Sequence, residues 1–385
     1  MRRRTFIKSG TAATLAGLLA GCASPNEGST NDTTEAPATE DDATTSGAEE
    51  TTEAQSQSYS VTMTPVGEVE FDSVPETIAV YTSGYADMLV ALGHGDAVAS
   101  IGQKARYHTG GYEELDGVSV DKSQMVDLVD QGVSRETLLS IDADLHLIDP
   151  NWLTNVFEMN DEDVQFLEER AGPFLGNTIF RRTDAWHDYD YYTMYGAFEK
   201  VAQAVQETER YEAFSTFHDD FVARIGEDVP SEGPRAALVW GGSNEPTSFS
   251  PYHLSGEGAN KKSFHDLNVQ DAIADSDVEA LSTGSRSEID YETLLDLDPE
   301  ALFVRGHEDK TREEFENTVV SFMQNHETAS RITAVEEGAV YRGGPIYLGP
   351  IQHLFLTERF ATELYPERFE GELFDRDELA TITTS

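Results

Sequence analysis

The chain has 385 residues and a formal net charge of −46, with 72 acidic residues against 26 lysines and arginines. It offers no basic stripe, which excludes nucleic acid as a partner, and its single cysteine excludes a disulfide framework. With 38% hydrophobic and 10% aromatic residues, it has material for two lobes of roughly 150 residues each. The acid is spread along the whole chain. That pattern reads as a strongly hydrated, salt-adapted (halophilic) surface whose self-repulsion salt screens, rather than as a patch for capturing cations.

Residues 1–22 read as an export signal. Arg3 and Arg4, ahead of Thr5, Phe6, Ile7 and Lys8, look like a twin-arginine address. The apolar run from Ser9 to Ala20 is far short of the ~20 residues that span a bilayer. Leu19-Ala20-Gly21-Cys22 resembles a lipobox, so the lone cysteine is expected to carry lipid. Anchoring through two acyl chains is stable where a single chain is marginal. The expected location is the outer face of the cytoplasmic membrane, with cleavage to a free secreted form as the other possibility. Residues 23–58 are almost all Thr, Ser, Ala, Glu, Asp, Gly and Gln, and are predicted to be a disordered acidic tether.

Residues 59–188 are predicted to form an N-terminal α/β lobe and residues 229–385 a C-terminal one. The strongest ground is an internal repeat. Arg135 to Ile148 aligns without gaps with Tyr291 to Val304, and Glu-Thr-Leu-Leu recurs verbatim. Each copy then has Ile or Leu, an Asp, an acid two residues further on and an apolar strand: one helix, one tight turn, one buried strand. Some 55 to 60 residues before each copy stands another apolar strand, Thr77 to Tyr81 and Ala236 to Trp240, each followed by a Gly/Ser loop. Two similar α/β units follow from that spacing. Between them, residues 189–228 keep a helical period through Tyr191, Met194, Phe198, Val201 and Val205, and resume it at Phe214, Phe217, Phe221 and Ile225. One long, stiff bridging helix is expected there.

These features resemble the substrate-binding lipoproteins of ABC importers of the ferric-siderophore, haem and vitamin B12 type. The resemblance rests on Val74 to Tyr81, Asp87 to Gly93, Ala97 to Gly102, both Glu-Thr-Leu-Leu copies, the bridging helix, and Gly338 to Tyr341 with Gly343-Gly344-Pro345. It covers residues 66–366. It implies an α/β fold of two Rossmann-like lobes with a ligand cleft, joined by one backbone helix. It also implies an iron chelate, haem or corrinoid as ligand, an ABC permease and ATPase as partners, a monomer, and a membrane contact only through the lipid anchor. The segments from Pro150 to Phe174 and from Asn244 to Asp275 look like unusually long loops beside the cleft.

Ligands of doubly wound sheets bind beyond the carboxyl ends of the strands. The residues found there are Tyr81, Ser83, Tyr85, Arg106, Trp152, Arg181 and Trp186 in the first lobe, and Trp240, Tyr252, Arg305 and Tyr347 in the second. Aromatic rings and arginine forks suit an aromatic, partly anionic chelate, although Arg181 and Arg182 have Asp184 and Asp188 at hand as ion-pair partners. A Zn²⁺ or Mn²⁺ receptor is the alternative, built from His108, His187, His253 and His307. No metal ligand is assigned, because there is no His-x-His pair, Cys pair or His-rich loop. An exported hydrolase is the remaining alternative. Gly-x-Ser-x-Gly, His-Glu-x-x-His, Gly-x-Gly-x-x-Gly and Walker loops are all missing. No catalytic residue or cofactor is assigned, and the chain is read as a binding protein rather than an enzyme.

Overall fold

The computed structural model describes residues 58–385, which form one compact unit. The export signal with Arg3, Arg4 and Cys22, and the tether as far as residue 57, lie outside the described residues.

The described chain opens with an antiparallel hairpin, β1 (Tyr59–Met63) and β2 (Gly67–Phe71). Its inward residues Val61, Met63, Val69 and Phe71 alternate with exposed ones, the signature of a sheet wet on one face. Four short parallel strands follow: β3 (Ile78–Val80), β4 (Ser100–Ile101), β5 (Val126–Asp127) and β6 (Leu145–Leu147). β3 pairs with β6 and β4 with β5. Bridges from Ile78 to Val98 and from His146 to Phe174 join them into one parallel sheet. Reading across it, the order is β5, β4, β3, β6, then Phe174. The winding reverses between β3 and β6, which is where a doubly wound sheet opens a crevice.

The second sheet has β7 (Arg235–Trp240) at its centre. β10 (Ala301–Arg305) and then β11 (Val340–Arg342) lie parallel on one side of it. On the other side, β9 (Gln270–Asp271) runs parallel along the start of β7, and β8 (Ser250–Tyr252) runs antiparallel along its end.

The internal repeat is physically the same device twice. Helix Arg135–Ile141 is capped by the Ser134 hydroxyl and ends on left-handed Asp142 (φ 54°); helix Tyr291–Leu297 is capped by Asp290 and ends on left-handed Asp298 (φ 41°). The acid two residues further on ties down the central strand of its own sheet. Asp144 accepts the amides of Glu76 and Thr77 ahead of β3, at 3.0 and 2.8 Å, and Glu300 accepts the amide of Arg235 at 2.7 Å at the start of β7.

Two expectations need correction. The bridging segment is not one rod. Helices Met194–Ala204 and Thr208–Asp228 are broken at Gln206, whose φ is 60°. They fold back on each other, with Phe198 packed 5.2 Å from Tyr211 and 5.5 Å from Phe214. The 21-residue helix Thr208–Asp228 alone leads into β7. The two supposed long loops are also structured: helices Pro150–Val156 and Asp161–Arg170 occupy the first, and β8, helix Lys262–Asp266 and β9 the second.

Apolar packing runs unbroken between the sheets. A single cluster holds Ile78, Val80 and Leu145 of the first, Ala236, Leu238 and Phe303 of the second, and Leu354 and Phe360 of helix Pro350–Leu364 between them. That helix is capped from outside. Its own N-cap is Gly349, so its first free amides, Ile351 and Gln352, donate to the fully buried Asp87 of helix Ser83–Ala91 at 2.8 and 3.2 Å. Tyr112 donates its hydroxyl to the other Asp87 oxygen. Burial raises the Asp87 carboxyl to about 7 against these three hydrogen bonds.

Candidate ligand cleft

At the switch point of the first sheet, Tyr81 follows β3 and Trp152 sits in the helix that starts immediately after β6. The Asp149 side chain caps that helix and Pro150 begins it, an N-terminus that fixes where Trp152 points. Trp152 packs 5.8 Å from Tyr81, 5.3 Å from Phe180 and 6.2 Å from Trp186. Tyr347, from beyond β11, closes the group at 4.9 Å from Phe180 and 6.2 Å from Tyr81. The Arg181 guanidinium lies over Trp152 and Phe180 at 5.6 and 5.3 Å and forks onto Asp184 at 2.8 and 3.2 Å. Burial acts to raise the Asp184 carboxyl, but the Thr283 amide and Arg181 hold it below the usual range.

That loop also ties the two lobes together. Asp184 accepts both the amide and the hydroxyl of Thr283, at 2.7 and 2.8 Å, and Trp186 donates to the same hydroxyl at 3.1 Å. Across the opening, Arg106 from the loop after β4 places its guanidinium 4.9 Å over the Trp240 ring at the end of β7.

Beside that contact lies a pocket of about 210 Å³ lined by Arg106, His108, Trp240, Gly306, Glu308 and Ile346. Gly306 has φ +101°, and a Cβ there would stand 2.8 Å from the Gly242 Cα, so only glycine fits this floor. A second pocket of about 380 Å³ continues past His108, Glu308 and Pro345 to Tyr112, Arg342 and Arg359. Burial opposes ionisation of Glu308, but the Arg359 charge and its hydrogen bonds, at 2.8 and 3.2 Å, hold the carboxyl down to about 2. His108 is pushed down by burial and stays neutral at pH 7.

Of the residues read from sequence, Tyr81, Trp152, Arg181, Trp186 and Tyr347 come together in the aromatic wall, and Arg106 and Trp240 meet across the opening. Arg305 is fully buried beneath. It lies 4.8 Å over Tyr252 and donates to Gly343 and Asn260 carbonyls at 3.2 and 2.7 Å, with Nη1 left unpartnered. Ser83 and Tyr85 serve packing: Ser83 donates to the Tyr347 carbonyl at 3.3 Å, and Tyr85 exchanges hydrogen bonds with the Asn177 backbone at 2.8 and 3.0 Å. Sequence reasoning missed Glu308 and Arg359. Glu308 was within reach, being the third residue after β10. Arg359 belongs to a helix far along the chain, and nothing local in the sequence pairs the two.

The four histidines of the metal alternative do not converge. His253 and His307 bond to the carbonyls of Val278 and Gly241 at 2.8 and 2.7 Å, His187 stacks on Trp186, and His108 lines the pocket. Among the described residues, the only three metal-capable groups gathered together are His218, Asp266 and His353, elsewhere in the fold.

A family model described as periplasmic binding protein matches residues 78–347. The chain belongs to the periplasmic binding protein family. Its fold is similar to that of a periplasmic binding protein from Veillonella parvula (14% identical, covering 80% of this chain and 98% of that one, TM-score 0.56). It is equally like the petrobactin-binding protein YclQ from Bacillus subtilis (15%, 80% and 99%, TM-score 0.55). A protein of an ABC-type Fe³⁺-hydroxamate transport system from Saccharomonospora viridis also matches (18%, 80% and 99%, TM-score 0.52). No curated protein matches the sequence. Family members bind solutes outside the cytoplasm and are not enzymes. Among the described residues, no helix is long and apolar enough to cross a membrane.

Proposed function

We propose that this periplasmic binding protein is the solute receptor of an ABC importer and that its cargo is a partly anionic ferric chelate of the siderophore type. Haem and corrinoids are the neighbouring cargoes. One observation carries the reading. Arg106 lines the pocket over Trp240 and, among the described residues, has no carboxylate within ion-pair distance, with the buried charges of Arg305 and Lys261 behind the floor, although the chain carries a net charge of −46. Lys261 and Arg305 are essentially inaccessible to water, and burial with the Arg305 charge lowers the Lys261 amine to about 8. An unpaired arginine at the mouth, with positive charge buried behind it, favours an anionic oxygen-rich guest, and the rings supply contact area at little entropic cost.

In this reading Cys22 carries the lipid anchor, the receptor works as a monomer of two lobes (residues 59–188 and 229–385), and a membrane permease with its ATPase accepts the cargo. The ligands printed for two of these structural relatives, petrobactin and a ferric hydroxamate, support an iron chelate over bare Zn²⁺ or Mn²⁺, and the dispersed cleft histidines support the same choice.

The test is a tryptophan-fluorescence titration of the purified chain with ferric hydroxamates, ferric catecholates, ferric citrate, haem and cobalamin. Trp152, Trp186 and Trp240 all border the cleft, so a bound ferric chelate quenches them. Saturable quenching by one class supports the proposal and names the cargo. Quenching by bare Zn²⁺ or Mn²⁺ with none from any chelate overturns it.

A further inference from the structure

We propose a second, buried site for a divalent transition metal, made by His218, Asp266 and His353, outside the pockets of the cargo cleft. The three residues come from three elements: the connecting helix Thr208–Asp228, helix Lys262–Asp266 and helix Pro350–Leu364. Each offers one ligand atom, and the three atoms lie within 4.8 Å of one another. His353 Nε2 stands 2.8 Å from Asp266 Oδ2, and the His218 and His353 rings are 5.3 Å apart.

The local chemistry is that of a metal site rather than of a satisfied polar cluster. His218 is 4% exposed. Its Nδ1 is engaged by the Asp219 carboxylate at 2.9 Å, which leaves the buried Nε2 with no partner. A histidine oriented through one nitrogen by a carboxylate, with the other nitrogen free, is the usual outer-shell arrangement of a metal-bound imidazole. His353 is fully buried with Nδ1 unpartnered, and the buried Tyr195 hydroxyl, on a ring 4.0 Å from His218, also has no partner. His353 approaches Asp266 through Nε2, which also meets the Thr357 hydroxyl at 3.1 Å; the free His218 Nε2, with the unpartnered Tyr195 hydroxyl on the ring packed against it, is the rare unsatisfied position that calls for an occupant.

Lys262 now bridges both Asp266 oxygens at 3.0 Å. Its side chain is 24% exposed, so it can turn out to water when a metal takes its place. Two imidazoles and one carboxylate, with water or the Tyr195 hydroxyl as a fourth donor, select borderline ions: Zn²⁺, Co²⁺ or Ni²⁺ rather than Mg²⁺ or Ca²⁺. A bound ion would pin the connecting helix to the helix between the lobes. His353 and Thr357 lie on a different face of that helix from Gln352, Phe355 and Arg359, which line the cleft.

The experiment is equilibrium dialysis of the chelator-treated full chain against Zn²⁺ or Co²⁺ in molar salt with excess Mg²⁺, alongside melting curves and the visible spectrum of the Co²⁺ form. The expected result is one equivalent of tightly held metal, a rise in melting temperature and a tetrahedral Co²⁺ absorption. His218→Asn and Asp266→Asn abolish all three, and Asp219→Asn weakens binding by roughly 10-fold. A His108→Ala/His307→Ala double variant keeps them, and circular dichroism of each metal-free variant reports its folding independently. Absence of stoichiometric uptake, uptake unchanged in folded His218→Asn, or loss only in the cleft double variant overturns the site. Each outcome is separate from the cleft titration, because no cleft residue contributes a ligand.

Discussion

Replacing Arg359 by methionine isolates the ion pair at the back of the cleft. Glu308 is 8% exposed in its side chain and Arg359 23%, joined by two hydrogen bonds at 2.8 and 3.2 Å, while Glu308 also accepts the Gly344 amide at 2.9 Å. Removing the arginine leaves a buried carboxylate without its ion-pair partner, at a cost of about 3–5 kcal/mol. For a chain of this length that is a fall of roughly 5–10 °C in melting temperature. The pH dependence carries its own signature. Glu308 titrates at about 2 in the fold against 4.5 ordinarily, so between those values the unfolded chain binds more protons. The pair's contribution, about 3 kcal/mol at most, is therefore complete above pH 4.5 and lost as pH falls towards 2. Melting curves from pH 2 to 7 for the native chain, Arg359→Met and the double variant Glu308→Gln/Arg359→Met read both effects. The double variant should recover most of the loss and flatten the acid limb. A single variant that melts within a degree of the native chain, or a double variant worse than the single, refutes the reasoning.

Other outcomes follow from the same geometry. Arg106→Ala removes a charge from over Trp240 without opening the core, so affinity for the quenching chelate should fall roughly 10–100-fold with the melting temperature unchanged. Asp87→Ala strands the amides of Ile351 and Gln352 and the Tyr112 hydroxyl, and should cost about 2–5 kcal/mol in denaturant unfolding, with Asp87→Asn costing less. Asp184→Ala severs the tie to Thr283, and hydrogen exchange should show the Thr283 amide exchanging faster while β7 and β10 are unaffected. Gly306→Ala should abolish chelate quenching, since its Cβ has no room against Gly242.

The sequence carried the α/β fold because its signals were local. Glu-Thr-Leu-Leu, the Asp and the following acid are written within fourteen residues, and both copies fold as the helix, turn and strand read from them; the left-handed Asp and the acids' hold on β3 and β7 are added by the structure. The break at Gln206 was marked only by the polar run from Glu207 to Arg210. A helical period that resumes after such a gap looks the same whether the chain continues straight or doubles back. In the cleft, strand ends located Tyr81, Trp152, Trp240 and Tyr347, because the switch-point rule depends on strand order alone. The rule cannot say which strand-end residue turns inward. Arg305 beneath the floor, and the pairing of Glu308 with Arg359 across 51 residues, depend on packing between elements, which no local pattern encodes. The same holds for His218, Asp266 and His353, scattered over three helices.

The central claim is that the cleft takes a ferric chelate through its aromatic wall and the unpaired Arg106. Quenching titrations of the native chain and of Arg106→Ala with the ferric chelate panel test it most directly. The account predicts saturable quenching by one chelate class in the native chain and a right-shifted curve in the variant. Identical curves for the two proteins, or no quenching by any chelate beside a clear response to bare Zn²⁺ or Mn²⁺, would contradict it.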